Sequence, residues 1–236
     1  MKPELSKRLS LIVDLVPSCD TFVDIGCDHG YVPVSLLLDG RCKRAVFADI
    51  NQGPLDRAYA NALHYGIDKG QAEFIRSNGL DSISSLKEGS NVLSVTGMGG
   101  LLIADILRRG SSKLSLFDTL ILSPHTKEEG LRIFLRDEGY VTIDERYVTD
   151  DDKLYVIMVA KKAASGSDAH ILSETELKFG RFIERELKNP DVRRFFEKRL
   201  SMLEDLLSGN KGIPAGRRVI IEKEAECFRE VLGIEA

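Results

Sequence analysis

Five short apolar runs in the first part of the chain each stop at a polar or glycine-bearing loop. They are Thr21–Ile25, Arg44–Asp49, a third ending at Phe74–Arg76, Asn91–Thr96 and Thr119–Leu122. Most are separated by stretches with helical spacing. That alternation constrains the fold strongly, because parallel neighbours can be joined only by a crossover long enough to hold a helix. Val141–Val148 and Leu154–Ala160 then alternate like a hairpin closed by Asp150-Asp151-Asp152. The expected fold is α/β: a doubly wound, mostly parallel, seven-stranded, Rossmann-like sheet with an antiparallel edge strand.

The first run leads into Asp24-Ile25-Gly26-Cys27-Asp28-His29-Gly30-Tyr31. Gly26 and Gly30 permit a sharp turn where a Cβ would collide with a ligand pressed against the backbone. In open parallel sheets ligands bind beyond the carboxyl ends of the strands, where the strand order reverses. A dinucleotide fingerprint would need G-x-G-x-x-G facing a pyrophosphate. Here the pattern is Asp24-x-Gly26-x-x-x-Gly30, and a carboxylate ahead of the glycines suits a cation, such as the amino group and sulfonium of S-adenosylmethionine. An ordinary strand-to-helix turn is the alternative.

Further loops bear on this choice. Asp49 lies 23 residues beyond Gly26, near the spacing at which an acid meets adenosine ribose hydroxyls. Asn78 offers an amide to an adenine edge, although Asn78-Gly79 is also an ordinary turn signal. Gly97-Met98-Gly99-Gly100 brings the backbone close to either a helix or a ligand.

Ahead of the first run, Leu5, Leu9, Ile12, Val13 and Val16 share a helical face, leaving Lys7 and Arg8 to solvent or a cleft. At Ala163-Ala164-Ser165-Gly166-Ser167 the composition changes to a small-residue linker. Ser173 and Glu176 read as a capping box for a helix reaching Lys188, broken by Asn189-Pro190-Asp191. Val192, Phe195, Phe196, Leu200, Leu203 and Leu207 continue with helical spacing, a loop covers Ser208–Gly216, and Ile220, Cys227 and Val231 mark a last helix. The expected division is 1–162 for the α/β unit and 163–236 for an antiparallel, coiled-coil-like helical hairpin.

A net charge of −4 argues against wrapping nucleic acid by bulk charge, so Arg193-Arg194 and Arg217-Arg218 read as solvated surface. Cys19, Cys27, Cys42 and Cys227 lack C-x-x-C spacing, so neither a metal site nor a disulfide framework is expected. With no signal-peptide pattern and no membrane-spanning run, a cytoplasmic protein is expected, and nothing in the sequence requires more than a monomer.

Several motifs together resemble the bacterial tRNA (adenine-22-N1)-methyltransferase family. They are Asp24-Ile25-Gly26-Cys27-Asp28-His29-Gly30-Tyr31-Val32-Pro33, Asn51-x-Gly53-Pro54, Gly97-Met98-Gly99-Gly100 and Lys153-x-Tyr155. The resemblance runs from Leu5-Ser6-Lys7-Arg8-Leu9 to about Tyr155 and returns weakly at Phe179-Gly180. It implies a class I methyltransferase domain using S-adenosylmethionine on tRNA. By that resemblance Gly26 and Gly30 lie under the methionine portion, Asp49 on the ribose and Asn78 near the adenine, with Asp24, Asp28, Ile50 and Gly79 also binding the cofactor. Gly97 and Met98 line the side of the cofactor and target base, while Arg8, His29 and Tyr31 surround the reacting atoms.

The chain departs from the family in informative places. Asn78 stands where Asp is expected, Phe179-Gly180-Arg181 where Phe-Gly-Pro is expected, and Ser123-Pro124-His125-Thr126 where Gln-Pro-Asn is expected. The last change lies close to where the target base enters. Two alternatives therefore stay open: methylation of another RNA position or a small molecule, or a noncatalytic adenosyl-binding module for RNA or another partner.

Overall fold

Side-chain alternation builds a two-faced sheet. In β1 (Cys19–Ile25) Phe22 packs on one face and Val23 and Ile25 on the other. In β2 (Cys42–Asp49) Ala45 and Phe47 join the first face, Val46 and Ala48 the second. Both faces are apolar, so both must be covered. The computed structural model describes residues 2–84, 86, 88–164, 172–209 and 212–234.

The remaining strands are β3 (Ala72–Arg76), β4 (Asn91–Met98), β5 (Thr119–Pro124), β6 (Tyr140–Asp150) and β7 (Lys153–Lys162). They form one sheet of seven in the order β3-β2-β1-β4-β5-β7-β6. The strands β1 to β5 are parallel, and β7 runs antiparallel to both its neighbours. The sequence reading put the antiparallel strand at the edge; β7 instead lies one place inside it. The hairpin inserts its second strand beside β5 and leaves β6 outermost.

On one face lie α1 (Lys7–Leu15), α2 (Tyr31–Leu38) and α3 (Gln52–His64), contributing Ile12, Val13, Leu36, Leu55 and Ala58 to the core. Ser6 caps α1 by accepting from the Leu9 N–H, which supplies one of the helix's missing acceptors. The other face carries α4 (Gly100–Arg109) and α5 (Glu128–Asp137), with Ile103, Leu107, Leu131 and Phe134 buried. Strand order reverses between β1 and β4, so the carboxyl ends of these two strands flank a crevice.

The C-terminal helices are α6 (Glu174–Phe179), α7 (Ile183–Glu186), α8 (Pro190–Gly209) and α9 (Ala215–Leu232). The Ser173–Glu176 capping box forms, but the single helix expected up to Lys188 breaks at Gly180. There φ is +79°, and a Cβ would sit 1.6 Å from Glu145 Oε2; the chain is pressed against the sheet too closely for a helix to continue. Val192, Phe196, Leu200 and Leu203 of α8 pack with Ala225, Phe228 and Leu232 of α9 and with Phe179. Ile220, expected on this inner face, is 66% exposed. The inward stripe runs Ile221, Ala225, Phe228, Leu232, and Ile220 sits one residue, about 100°, round the helix from it. The small-residue linker lies, from Ser165 onward, outside the described residues.

A buried polar cluster joins these helices to the sheet. Arg132 of α5, 2% exposed, donates from Nε to Glu145 Oε1 at 2.8 Å. Its Nη1 reaches the Leu177 and Lys178 carbonyls at 3.0 and 2.7 Å, and Nη2 the Tyr147 hydroxyl at 3.2 Å. Tyr147 in turn donates to the Phe179 carbonyl at 2.8 Å. No described helix is long and apolar enough to cross a membrane.

Candidate active site

A cleft of about 370 Å³ opens at the carboxyl ends of β1, β2 and β4. Asp24, Gly26, Asp28, His29, Gly30 and Tyr31 line it from β1 and the turn into α2; Asp49 comes from β2; Gly97 and Met98 from β4; Arg8 from α1. Ten of the residues expected from the sequence therefore converge on one cavity. Ile50, Asn78 and Gly79 do not line it. Ile50 is 52% exposed and turns its carbonyl to Arg76 Nε. Gly79 is buried with φ +64°, its Cα facing Ile106 of α4, so it serves packing. Asn78 is exposed at the end of β3, next to the β2 strand that carries Asp49.

The two glycines of the first loop differ. At Gly26 (φ +78°) a Cβ would come within 2.2 Å of the Met98 methyl, which borders the cleft. At Gly30 (φ +68°) it would meet the Phe47 ring at 2.7 and 2.9 Å and Ala58 Cβ at 3.0 Å. At Gly30 the protein's own core already requires glycine, while the residue also lines the cleft. Gly30→Ala is expected to lower stability by about 2–4 kcal/mol, from left-handed strain plus overpacking. Gly26→Ala, opposed only by a flexible methionine tip, should cost about 1–2 kcal/mol, mostly strain, while displacing Met98. Urea unfolding of both variants checks the ranking.

Electrostatics set the character of the floor. Asp24 is buried, and burial pushes its carboxyl up to about 7; the buried Ser94 hydroxyl opposes this and the Asp49 charge adds to it. Ser94, its register partner on β4, makes no well-formed hydrogen bond itself. Among the described residues no cation pairs with Asp24. Asp49 accepts from the Asn51 N–H at 2.9 Å through Oδ1. Burial and the neighbouring acids also push the Cys27 thiol well above its usual range, which removes it as a nucleophile.

The mouth is aromatic and basic. His29 and Tyr31 stack with centroids 5.5 Å apart and planes within 9°. The His29 imidazole stands 3.7 Å from Asp28 Oδ2 through Nε2, and its carbonyl accepts from Asn61 Nδ2. Arg57 holds Asp28 at 2.6 Å. Opposite, Arg8 Nη1 approaches His125 Nε2 at 3.1 Å and its guanidinium lies 5.1 Å from the Tyr155 ring centroid. His125 was not among the site residues expected from the sequence; its signal was the departure at Ser123-Pro124-His125-Thr126. Arg193 and Arg218 pair with Glu197 and Glu222 one turn away, and Arg194 with Asp191, in keeping with solvated surface.

Comparison with known proteins bears on this geometry. The family described as a methyltransferase domain matches residues 5–158. The Bacillus subtilis tRNA (adenine(22)-N(1))-methyltransferase is 33% identical over 159 residues, which make up 67% of this chain and 65% of that protein. The chain thus spans just under two thirds of this relative's length. A Streptococcus pneumoniae protein, a putative tRNA (m1A22) methyltransferase crystallised with S-adenosyl-L-methionine, is 30% identical; the match covers 97% of this chain and 100% of that one, at a TM-score of 0.85. M. capricolum TrmK, crystallised with S-adenosyl-homocysteine, is 27% identical over 97% of this chain and 98% of its own, at a TM-score of 0.82. By fold, by the residues gathered at the crevice and by these matches, the chain belongs to the methyltransferase domain family, on the branch that holds the tRNA (adenine-22-N1)-methyltransferases.

Proposed function

We propose that this chain is an S-adenosylmethionine-dependent methyltransferase acting on N1 of an adenine in tRNA, the adenine at position 22 being the one its relatives' names specify. The observation that carries the reading is the acidic floor: a buried carboxyl, Asp24, that pairs with no cation among the described residues, beside Asp49 in a cleft at the strand switch point. Such a site fits a cationic nucleoside. When bound, S-adenosylmethionine supplies a methyl group on a sulfonium, already activated toward a nitrogen lone pair.

The chain's residues have three tasks in this scheme. Asp24 faces the cation, and Asp49 accepts from the ribose diol, with Asn78 at the rim on the adenine side. The loop through Gly26, Asp28 and Gly30, and the loop of Gly97 and Met98, shape the walls. Adenine N1 is unprotonated at neutral pH, so no strong base is needed, and catalysis is alignment with exclusion of water. Because N1 lies on the Watson–Crick edge, the base must leave its stack. Tyr31 and His29 offer it a stacking surface and Arg8 a phosphate contact. In this reading residues 1–162 form the methyltransferase unit and 163–236 a helical unit that helps seat the RNA.

The test is incubation of the purified protein with methyl-labelled cofactor and total tRNA, followed by nucleoside analysis. Label in N1-methyladenosine is expected. Cofactor binding without label in any RNA would overturn the proposal, and label in a small-molecule fraction would replace it with the small-substrate alternative.

A further inference from the structure

We propose that His125 is a positioning residue: its imidazole, accepting at Nε2, holds the Arg8 guanidinium across the mouth of the cleft against the Tyr155 ring, where it receives a phosphate of the incoming RNA. This rests on the RNA-methyltransferase reading and adds to it a role for His125, which the sequence offered only as part of a departure.

Arginine carries donors only, so a 3.1 Å contact between Arg8 Nη1 and His125 Nε2 requires that nitrogen to be the acceptor. The ring is then neutral, with its proton on Nδ1. Tyr155 completes the holder, its ring 5.1 Å from the guanidinium and 5.2 Å from the imidazole. The Arg8 main-chain N–H is fixed at 3.1 Å by Asp150 Oδ2. Among the described residues no carboxylate pairs with the Arg8 guanidinium. The Asp150 carboxylate feels the Arg8 charge from the main-chain side without an ion pair to the guanidinium, so the guanidinium is held in place with its donors open to an anion that arrives with the substrate.

The holder is itself rigid. The His125 N–H donates to the Met98 carbonyl at 2.8 Å, and the Gly100 N–H to the Thr126 carbonyl at 2.7 Å. The loops after β4 and β5 are thus tied together at two points, and the imidazole stands on a fixed base. Burial, Arg8 on α1 and Lys153 on β7 push the imidazole below its usual range, against a weaker pull from Glu128 on α5. Lys127, Glu129 and Lys178 line the outer basin that His125 also borders. Protonation would remove the acceptor at Nε2 and set a further positive charge against Arg8. Engagement of RNA should then weaken on acidification.

His125→Ala, His125→Gln and the wild type, assayed at saturating cofactor so that titration of Asp24 is not felt, test this. His125→Ala is expected to raise KM for tRNA about tenfold at pH 8, the worth of one such hydrogen bond, with kcat and cofactor affinity nearly unchanged. His125→Gln keeps an acceptor that does not titrate, so it should restore KM and lose the acid limb of the kcat/KM profile. Nitrogen-15 NMR of the imidazole should show the Nδ1–H form in the wild type, with protonation easier once Arg8 is changed to Gln. An unchanged KM in His125→Ala, an acid limb kept in His125→Gln, or an Nε2–H imidazole would each overturn the inference. If the wild type labels no RNA, the RNA-methyltransferase reading fails by itself; the imidazole signals and the tRNA affinity of His125→Ala still decide the Arg8 bridge.

Discussion

Replacing Arg132 by Met is expected to lower stability by about 3–5 kcal/mol, the loss typical when a buried ion pair is deprived of one partner. Glu145, 1% exposed, would keep its carboxyl in a dry site with no counter-charge. Its value is already raised by burial, against the pull of Arg132. The Leu177 and Lys178 carbonyls and the Tyr147 hydroxyl would lose a donor at the same time. Removing both charges, as Arg132→Met with Glu145→Leu, should recover part of the loss, because no ion remains buried. Recovery stays incomplete, since the helix carbonyls are still unpaired. Urea denaturation of the single and double variants measures both effects. A single variant within 1 kcal/mol of the wild type would show the cluster to be far wetter than its burial implies.

Asp24→Asn should act in opposite directions on stability and on binding. In the folded protein the carboxyl is pushed up to about 7, above its value of about 4 in an unfolded chain. The folded state therefore holds the proton more tightly. Its contribution is fully present below pH 4 and is lost as pH rises through 7, a loss of about 4 kcal/mol on integration. The amide cannot ionise, so the variant should be more stable than the ligand-free wild type at pH 8, by on the order of 2 kcal/mol. Binding moves the other way. A sulfonium or ammonium ligand prefers the carboxylate, so wild-type affinity for S-adenosylmethionine should fall below pH 7, approaching tenfold per unit. Asp24→Asn should bind at least about 30-fold more weakly at pH 8 and show no such dependence, as for a buried charge pair deprived of one partner. Calorimetry at pH 6 and pH 8 reads both, and wild-type affinity independent of pH across that range would sink the argument.

Sheet, helices and most of the cleft were legible because their signals are local. Near-continuous apolar runs in Phe22–Ile25 and Ala45–Ala48 name two buried faces, and an acid before a glycine turn names the crevice. Long-range packing was not legible. Gly180 ends a helix because Glu145, 35 residues earlier in the chain, occupies the space beside it. Core packing alone requires glycine at Gly30, against Phe47 and Ala58, and crowds Gly79 against Ile106; these contacts are long-range and invisible in the sequence. The position of β7 inside the sheet was hidden for a similar reason. A hairpin predicts which strands pair with each other but not which of them meets β5. His125 was flagged only as part of the Ser123–Thr126 departure, not as a site residue; the contact with Arg8, 117 residues away, gives it meaning.

The outermost strand, β6, carries a consequence for how the C-terminal helices can be studied. Its Tyr147 N–H is taken by Glu186 at 2.8 Å and its Glu145 carbonyl by Arg185. Side chains from the helices thus stand in for a missing eighth strand. Cutting the chain before α6 would bare a ribbon of unsatisfied amides ready to zip onto another molecule. A truncated protein would then clump for reasons unrelated to RNA, so the reach of these helices toward tRNA has to be probed by charge reversals on their solvent side.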